Sequence, residues 1–119
     1  FCMAIIFKSP GVIILHVSTN DASSYTSREI LDKLLGLKGF IQNKLPTCKI
    51  IMSMPIFRND SGKCCVTIKH SNKYLKDLEV DIIDNDNITG EHLGKKGLYM
   101  NKKGTGRLAM NIISCIRRL

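Results

Sequence analysis

The chain has 119 residues, 44% of them hydrophobic and 24% charged, which is the length and composition of one ordinary globular domain. Its Ile, Leu and Val content is enough to offset chain entropy, which excludes wholesale disorder, and the apolar run Val12–Val17 is far short of the ~20 residues a bilayer span requires. Eighteen Lys and Arg against ten Asp and Glu give a net charge of +8, a balance that favours anionic partners.

The turn signal Ser9-Pro10-Gly11 precedes Val12-Ile13-Ile14-Leu15-His16-Val17, a nearly continuous apolar run. Such a run predicts a strand buried on both faces of a parallel sheet. Thr26-Ser27-Arg28-Glu29 fits a capping box, in which hydroxyl and carboxylate each satisfy a free backbone donor. Ile30, Leu34, Leu37, Ile41 and Leu45 then recur along one helical stripe. Gly36 and Gly39 each weaken that helix by roughly 1 kcal/mol relative to alanine, which predicts a kink or early fray.

Lys49-Ile50-Ile51-Met52-Ser53-Met54 gives the second strand. After the turn cluster Asn59-Asp60-Ser61-Gly62, a weaker helical pattern over 63–78 carries Val66, Ile68, Leu75 and Leu78. Val80-Asp81-Ile82-Ile83-Asp84 gives the third strand, and the polar, glycine-bearing stretch 85–97 is a loop. Asn101 is placed to cap a last helix holding Leu108, Ala109, Ile112, Ile113 and Ile116. Alternating strands and helices joined by right-handed crossovers predict a parallel sheet of about three strands with helices on its faces. Open sheets of this kind bind ligands beyond the carboxyl ends of their strands, here 18–21, 55–60 and 84–87.

The five cysteines are odd in number and form no C-x-x-C pair, so they indicate free thiols in a reducing, intracellular and cytoplasmic setting. No group of residues has metal-ligand spacing, and no phosphate-loop or dinucleotide motif occurs, so neither metal nor cofactor is expected. His16 is expected to pack within its strand, and His70 and His92 to be exposed. Asp84 and Asp86 are expected to end a strand and cap a turn. After Glu91 there are no acids, while Lys95, Lys96, Lys102, Lys103, Arg107, Arg117 and Arg118 follow. Lys95, Lys96, Lys102, Lys103 and Arg107 are therefore candidates for docking on a nucleic acid or an anionic membrane surface.

His16-Val17-Ser18-Thr19-Asn20-Asp21 after a buried strand resembles the H-x-G-T-N-D block of the SGNH (GDSL-type) hydrolases. Lys49-Ile50-Ile51-Met52-Ser53-Met54-Pro55 resembles the next strand of that family, and Asp84-Asn85-Asp86-Asn87-Ile88 fits its final strand end. Gly97-Leu98-Tyr99-Met100-Asn101-Lys102-Lys103-Gly104 resembles its last block, D-G-L-H-L-N-x-x-G. The resemblance implies a partial flavodoxin-like α/β/α sandwich and descent from an esterase or lipase. It also implies a serine nucleophile in a Gly-Asp-Ser block, oxyanion donors in the T-N-D block, and a late D-x-x-H base.

Several of those positions differ here. No Gly-Asp-Ser occurs, so the family's first two strands and nucleophile would lie upstream of Phe1, and 1–119 would be a single, N-terminally truncated domain. Ser18 stands where the oxyanion-block glycine usually is, while Asn20 is kept; both are oxyanion-hole candidates. Lys96 takes the place of the catalytic aspartate and Tyr99 that of the histidine, and neither residue type is a ready base at neutral pH. The resemblance thus implies an inactive relative, with a small ester as substrate only if activity is retained. With the upstream strands absent, Val12–Val17 is expected to be an exposed sheet edge through which the chain self-associates.

Overall fold

The computed structural model describes residues 2–7, 11–17, 25–56, 62–78, 81–97 and 99–119. Its elements in chain order are β1 (Cys2–Phe7), β2 (Val12–Val17), α1 (Ser27–Lys44), β3 (Lys49–Ser53), α2 (Gly62–Asp77), β4 (Ile82–Ile83), a 3-10 turn (Gly90–His92) and α3 (Lys102–Arg117). The strands form one sheet in the order β1-β2-β3-β4. β2, β3 and β4 run parallel, with His16 opposite Ser53 and Ser53 opposite Ile83 on the last rungs.

Strand alternation splits the apolar residues between two helical layers. Ile13, Leu15, Ile50 and Met52 point to one side, where Leu31, Leu34, Leu37 and Ile41 of α1 and Leu75 of α2 cover them. Val12, Ile14, Ile51 and Ile83 point to the other, where Ile112, Cys115 and Ile116 of α3 meet them. The architecture is a partial flavodoxin-like α/β/α sandwich, as expected. Among the described residues no helix is long and apolar enough to cross a membrane.

Three details differ from the sequence reading. The apolar run Cys2–Phe7 is a strand, paired antiparallel with β2 from Cys2↔Val17 to Phe7↔Val12. β2 is therefore not the exposed edge that the reading required; it is an inner strand. Two six-residue apolar runs on either side of Ser9-Pro10-Gly11 are a hairpin pattern in the sequence, and β1 supplies the missing neighbour. Second, α1 continues without interruption past Gly36 and Gly39. An added Cβ at either glycine would meet nothing within 4 Å, so packing of the opposite face carries the helix through them. Third, Val66 and Leu78 are exposed, and the buried stripe of α2 is Cys64, Ile68, Ser71, Asn72 and Leu75.

The helix starts follow the sequence. Thr26 Oγ1 accepts from Glu29 N at 3.2 Å and Glu29 Oε1 accepts from Thr26 N at 3.2 Å. Asn101 Oδ1 accepts from Gly104 N at 3.0 Å at the start of α3. Gly104 has a second role there. An added Cβ would lie 2.2 Å from the His92 carbonyl oxygen, so only glycine lets α3 close on the loop before it.

Opposite effects are expected at these glycines. Gly36→Ala should stabilise the fold by about 1 kcal/mol, and Gly104→Ala should destabilise it by about 1–3 kcal/mol. Urea unfolding midpoints read at constant slope check both.

Candidate functional site at the carboxyl rim of the sheet

The parallel strands end in a chain of polar side chains on the α3 side. His16 Nδ1 lies 2.9 Å from Ser53 Oγ across the β2–β3 rung. Asn85, just past β4, donates from Nδ2 to Ser53 Oγ at 2.9 Å and to the Met54 carbonyl at 2.8 Å. Asn111 of α3 donates from Nδ2 to Asn85 Oδ1 and to Asn87 Oδ1, both at 2.9 Å, and accepts from Asn87 Nδ2 at 3.0 Å. Ser53 and Asn85 are buried, so each bond replaces one that water would otherwise make.

The sense of these bonds defines what Ser53 and His16 can do. Asn85 fills an acceptor site on Ser53 Oγ, which leaves the hydroxyl hydrogen for Nδ1 of a neutral His16. Burial pushes His16 below its ordinary value and favours that neutral form. The pair has the bonding sense of a nucleophile and its base. Ser53 is only 1% exposed, however, so no substrate carbonyl reaches it, and the pair acts as an internal tie between strands. His16 thus packs in its strand as expected.

The loop entering α3 is held on a second set of bonds. Leu93 and Met100 form an antiparallel bridge, Gly94 N donates to the Tyr99 carbonyl at 2.7 Å, and Gly97 turns the chain at φ 69°. Asn101 Nδ2 donates to the Glu91 and Leu93 carbonyls at 2.8 and 3.0 Å. Lys95 and Lys96 stand exposed at the tip, and Tyr99 is 65% exposed. Neither Lys96 nor Tyr99 makes a side-chain hydrogen bond or ion pair with a described residue. Ser18 and Asn20 lie outside the described residues.

His92, expected to be exposed, is buried at 5%. Its Nδ1 accepts from Thr89 N at 2.9 Å, and Asn101 N donates to its carbonyl at 2.9 Å. The bare face of Gly104 lets α3 cover it. Asp84 and Asp86 act as expected: Asp84 Oδ1 accepts from Asp86 N at 2.8 Å, which caps the turn after β4. Both carboxylates also meet Lys76, and the hydrogen bond that Lys76 donates to Asp86 holds that ammonium above its ordinary value. Among the described residues no group of three or more His, Cys, Asp or Glu is placed to hold a metal ion. Ser53, Asn85 and Asn111 escaped the sequence reading as a set. Their signal was a polar residue at an inward strand position, Ser53, opposite another, His16.

Comparison of the chain with protein-family models and with curated proteins gave no match.

Asn111→Ala would leave buried Asn85 Oδ1 without its donor and should cost about 1–3 kcal/mol in chemical denaturation. For His16 the folded value lies below the unfolded one, near 6.5. Its contribution is therefore complete above about 6.5 and is lost as pH falls through that value toward the lowered one. His16→Gln should flatten the acid side of the stability profile below 6.5, read from urea midpoints on either side.

Proposed function

We propose that the chain is an SGNH hydrolase-like, esterase-family domain segment that retains acyl-binding elements and does not hydrolyse esters. The observation that carries this reading is the order of the matching segments along the chain relative to the strands and α3. Thr19-Asn20-Asp21 follows β2, Pro55 follows β3, Asp84-Asn85-Asp86-Asn87 ends and follows β4, and Tyr99-Met100-Asn101 leads into α3. Ligands of open α/β sheets bind at the carboxyl rim.

The chemistry follows from the residues present. Acyl transfer needs an activated hydroxyl, a base within reach of it and donors aimed at the developing oxyanion. By the resemblance, the side-chain amide of Asn20 and the backbone amide at Ser18 would supply the last of these. Lys96 and Tyr99 stand where the family carries its aspartate and histidine, and no Gly-Asp-Ser occurs in the sequence. The segment therefore binds a tetrahedral anion mimic without forming an acyl-enzyme. Loss of several members of such a set leaves binding at most.

One observation favours a second reading, a basic docking surface. Lys102 and Lys103 occupy the first turn of α3, which has no acid. Cations are disfavoured there by the helix dipole, by a few tenths of a kcal/mol up to about 1 kcal/mol each. Exposed Lys95, Lys96 and Arg107 extend the same charge. A polyanion such as a nucleic acid or an anionic bilayer would offset that cost.

Two assays on the 119-residue chain test the first reading. p-Nitrophenyl acetate should show neither a burst nor turnover above buffer. The anion of p-nitrophenyl methylphosphonate should bind, and Asn20→Ala should weaken it by roughly tenfold or more. Ester turnover with a burst, or equal binding by the Asn20→Ala variant, overturns the reading. Steep salt dependence of binding to heparin, lost on Lys102→Gln and Lys103→Gln, would instead carry the second.

A further inference from the structure

A cavity of about 460 Å³ opens between α2 and the loop after β4, at the carboxyl rim of the sheet. That volume lies within the range of small-molecule sites, ~300–1,000 Å³. Pro55 and Ile88 give it apolar walls, and Ile88 is 1% exposed.

The charged wall is Lys69, Lys73 and Lys76, which the helical repeat sets on one face of α2. Lys76 is held by Asp84 and Asp86. Lys69 and Lys73 have no acidic partner among the described residues and repel each other at i,i+4 spacing. Asn72 stands between them in sequence and also lines the cavity. It is 92% buried, at 8% exposure, and its Nδ2 is committed to the Pro55 carbonyl at 2.8 Å. Its Oδ1 finds no donor among the described residues. A buried acceptor left open is costly and calls for a donor from elsewhere.

We propose that this cavity binds a small hydroxylated organic anion. Its phosphate or carboxylate group sits between Lys69 and Lys73, and a hydroxyl is directed at Asn72. The Lys76–Asp84–Asp86 cluster closes the far side and keeps Asp86 from repelling the ligand. Asn85 contributes wall only, because its amide is fully engaged by Ser53, Met54 and Asn111. The site does not rest on the hydrolase-like reading and uses none of Ser18, Asn20, Lys96 or Tyr99.

The test is titration of the 119-residue chain, followed by backbone amide NMR, with glucose 6-phosphate, gluconate, glucose and inorganic phosphate. Glucose 6-phosphate or gluconate should give saturable shifts at Lys69, Asn72 and Lys73; the two arms separate a phosphate ligand from a carboxylate one. Glucose should not bind, and inorganic phosphate should bind more weakly than glucose 6-phosphate. The exposed-site variant Lys69→Gln/Lys73→Gln should fold as before and lose about tenfold in affinity or more. Asn20→Ala and Lys102→Gln/Lys103→Gln should bind unchanged, which keeps this site apart from the rim reading. The proposal is overturned if neither organic anion binds at millimolar concentration, or if Lys69→Gln/Lys73→Gln binds as tightly as the parent. It is also overturned if inorganic phosphate matches glucose 6-phosphate, which would indicate an adventitious ion only.

Discussion

The amide of Asn85 is the constraint on which the carboxyl rim depends. It is 4% exposed, and its two hydrogens and its oxygen all find partners, on β3 and on α3. β4 is only two residues long, so backbone pairing alone fixes it weakly. The side chain just beyond it does the rest, by tying that short strand to Ser53, to the Met54 carbonyl and to Asn111. Because Asn111 also grips Asn87, the turn after β4 and the middle of α3 are tied together. A buried polar network helps to specify one arrangement only when every member is satisfied, and this one meets that condition.

The same rim shows why charge and burial were unequally legible. The capping residues Thr26 and Asn101 act as their sequence context implies, because an N-cap is a local interaction of three residues. The three parallel strands were likewise visible as apolar runs. β1 is an apolar run of the same kind, but its place in the sheet comes from its antiparallel partner β2 and not from the strand–helix alternation of the rest of the chain. His92 was misjudged for a related reason. Flanking glycines and polar neighbours suggest exposure, but burial there is decided by how closely α3 approaches, which Gly104 permits from twelve positions further along the chain. The cavity beside α2 could not be read at all. Lys69, Lys73 and Lys76 look like an ordinary solvated face until Pro55 and Ile88 are brought opposite them.

The cavity shares Pro55, Asn85 and Asp86 with the carboxyl rim of the sheet. Asn72 and its lysines belong to the α2 layer, whereas Asn111 belongs to α3. Asn85 touches both, lining the cavity while its amide serves the network. A ligand pressed against that wall would therefore bear on the group that positions β4 and α3. Any coupling between the two would pass through this one side chain and its neighbours.

The hairpin has a consequence for how the chain assembles. Parallel pairing of β2 with β3 brings together His16 and Ser53, 37 positions apart, and must overcome the entropy of closing that span. β1 and β2 pair across far shorter separations, beginning at Phe7↔Val12. Short-range contact of this kind forms early, so the hairpin supplies a preformed template on which the distant strand condenses, and it lowers the contact order of an otherwise slow topology.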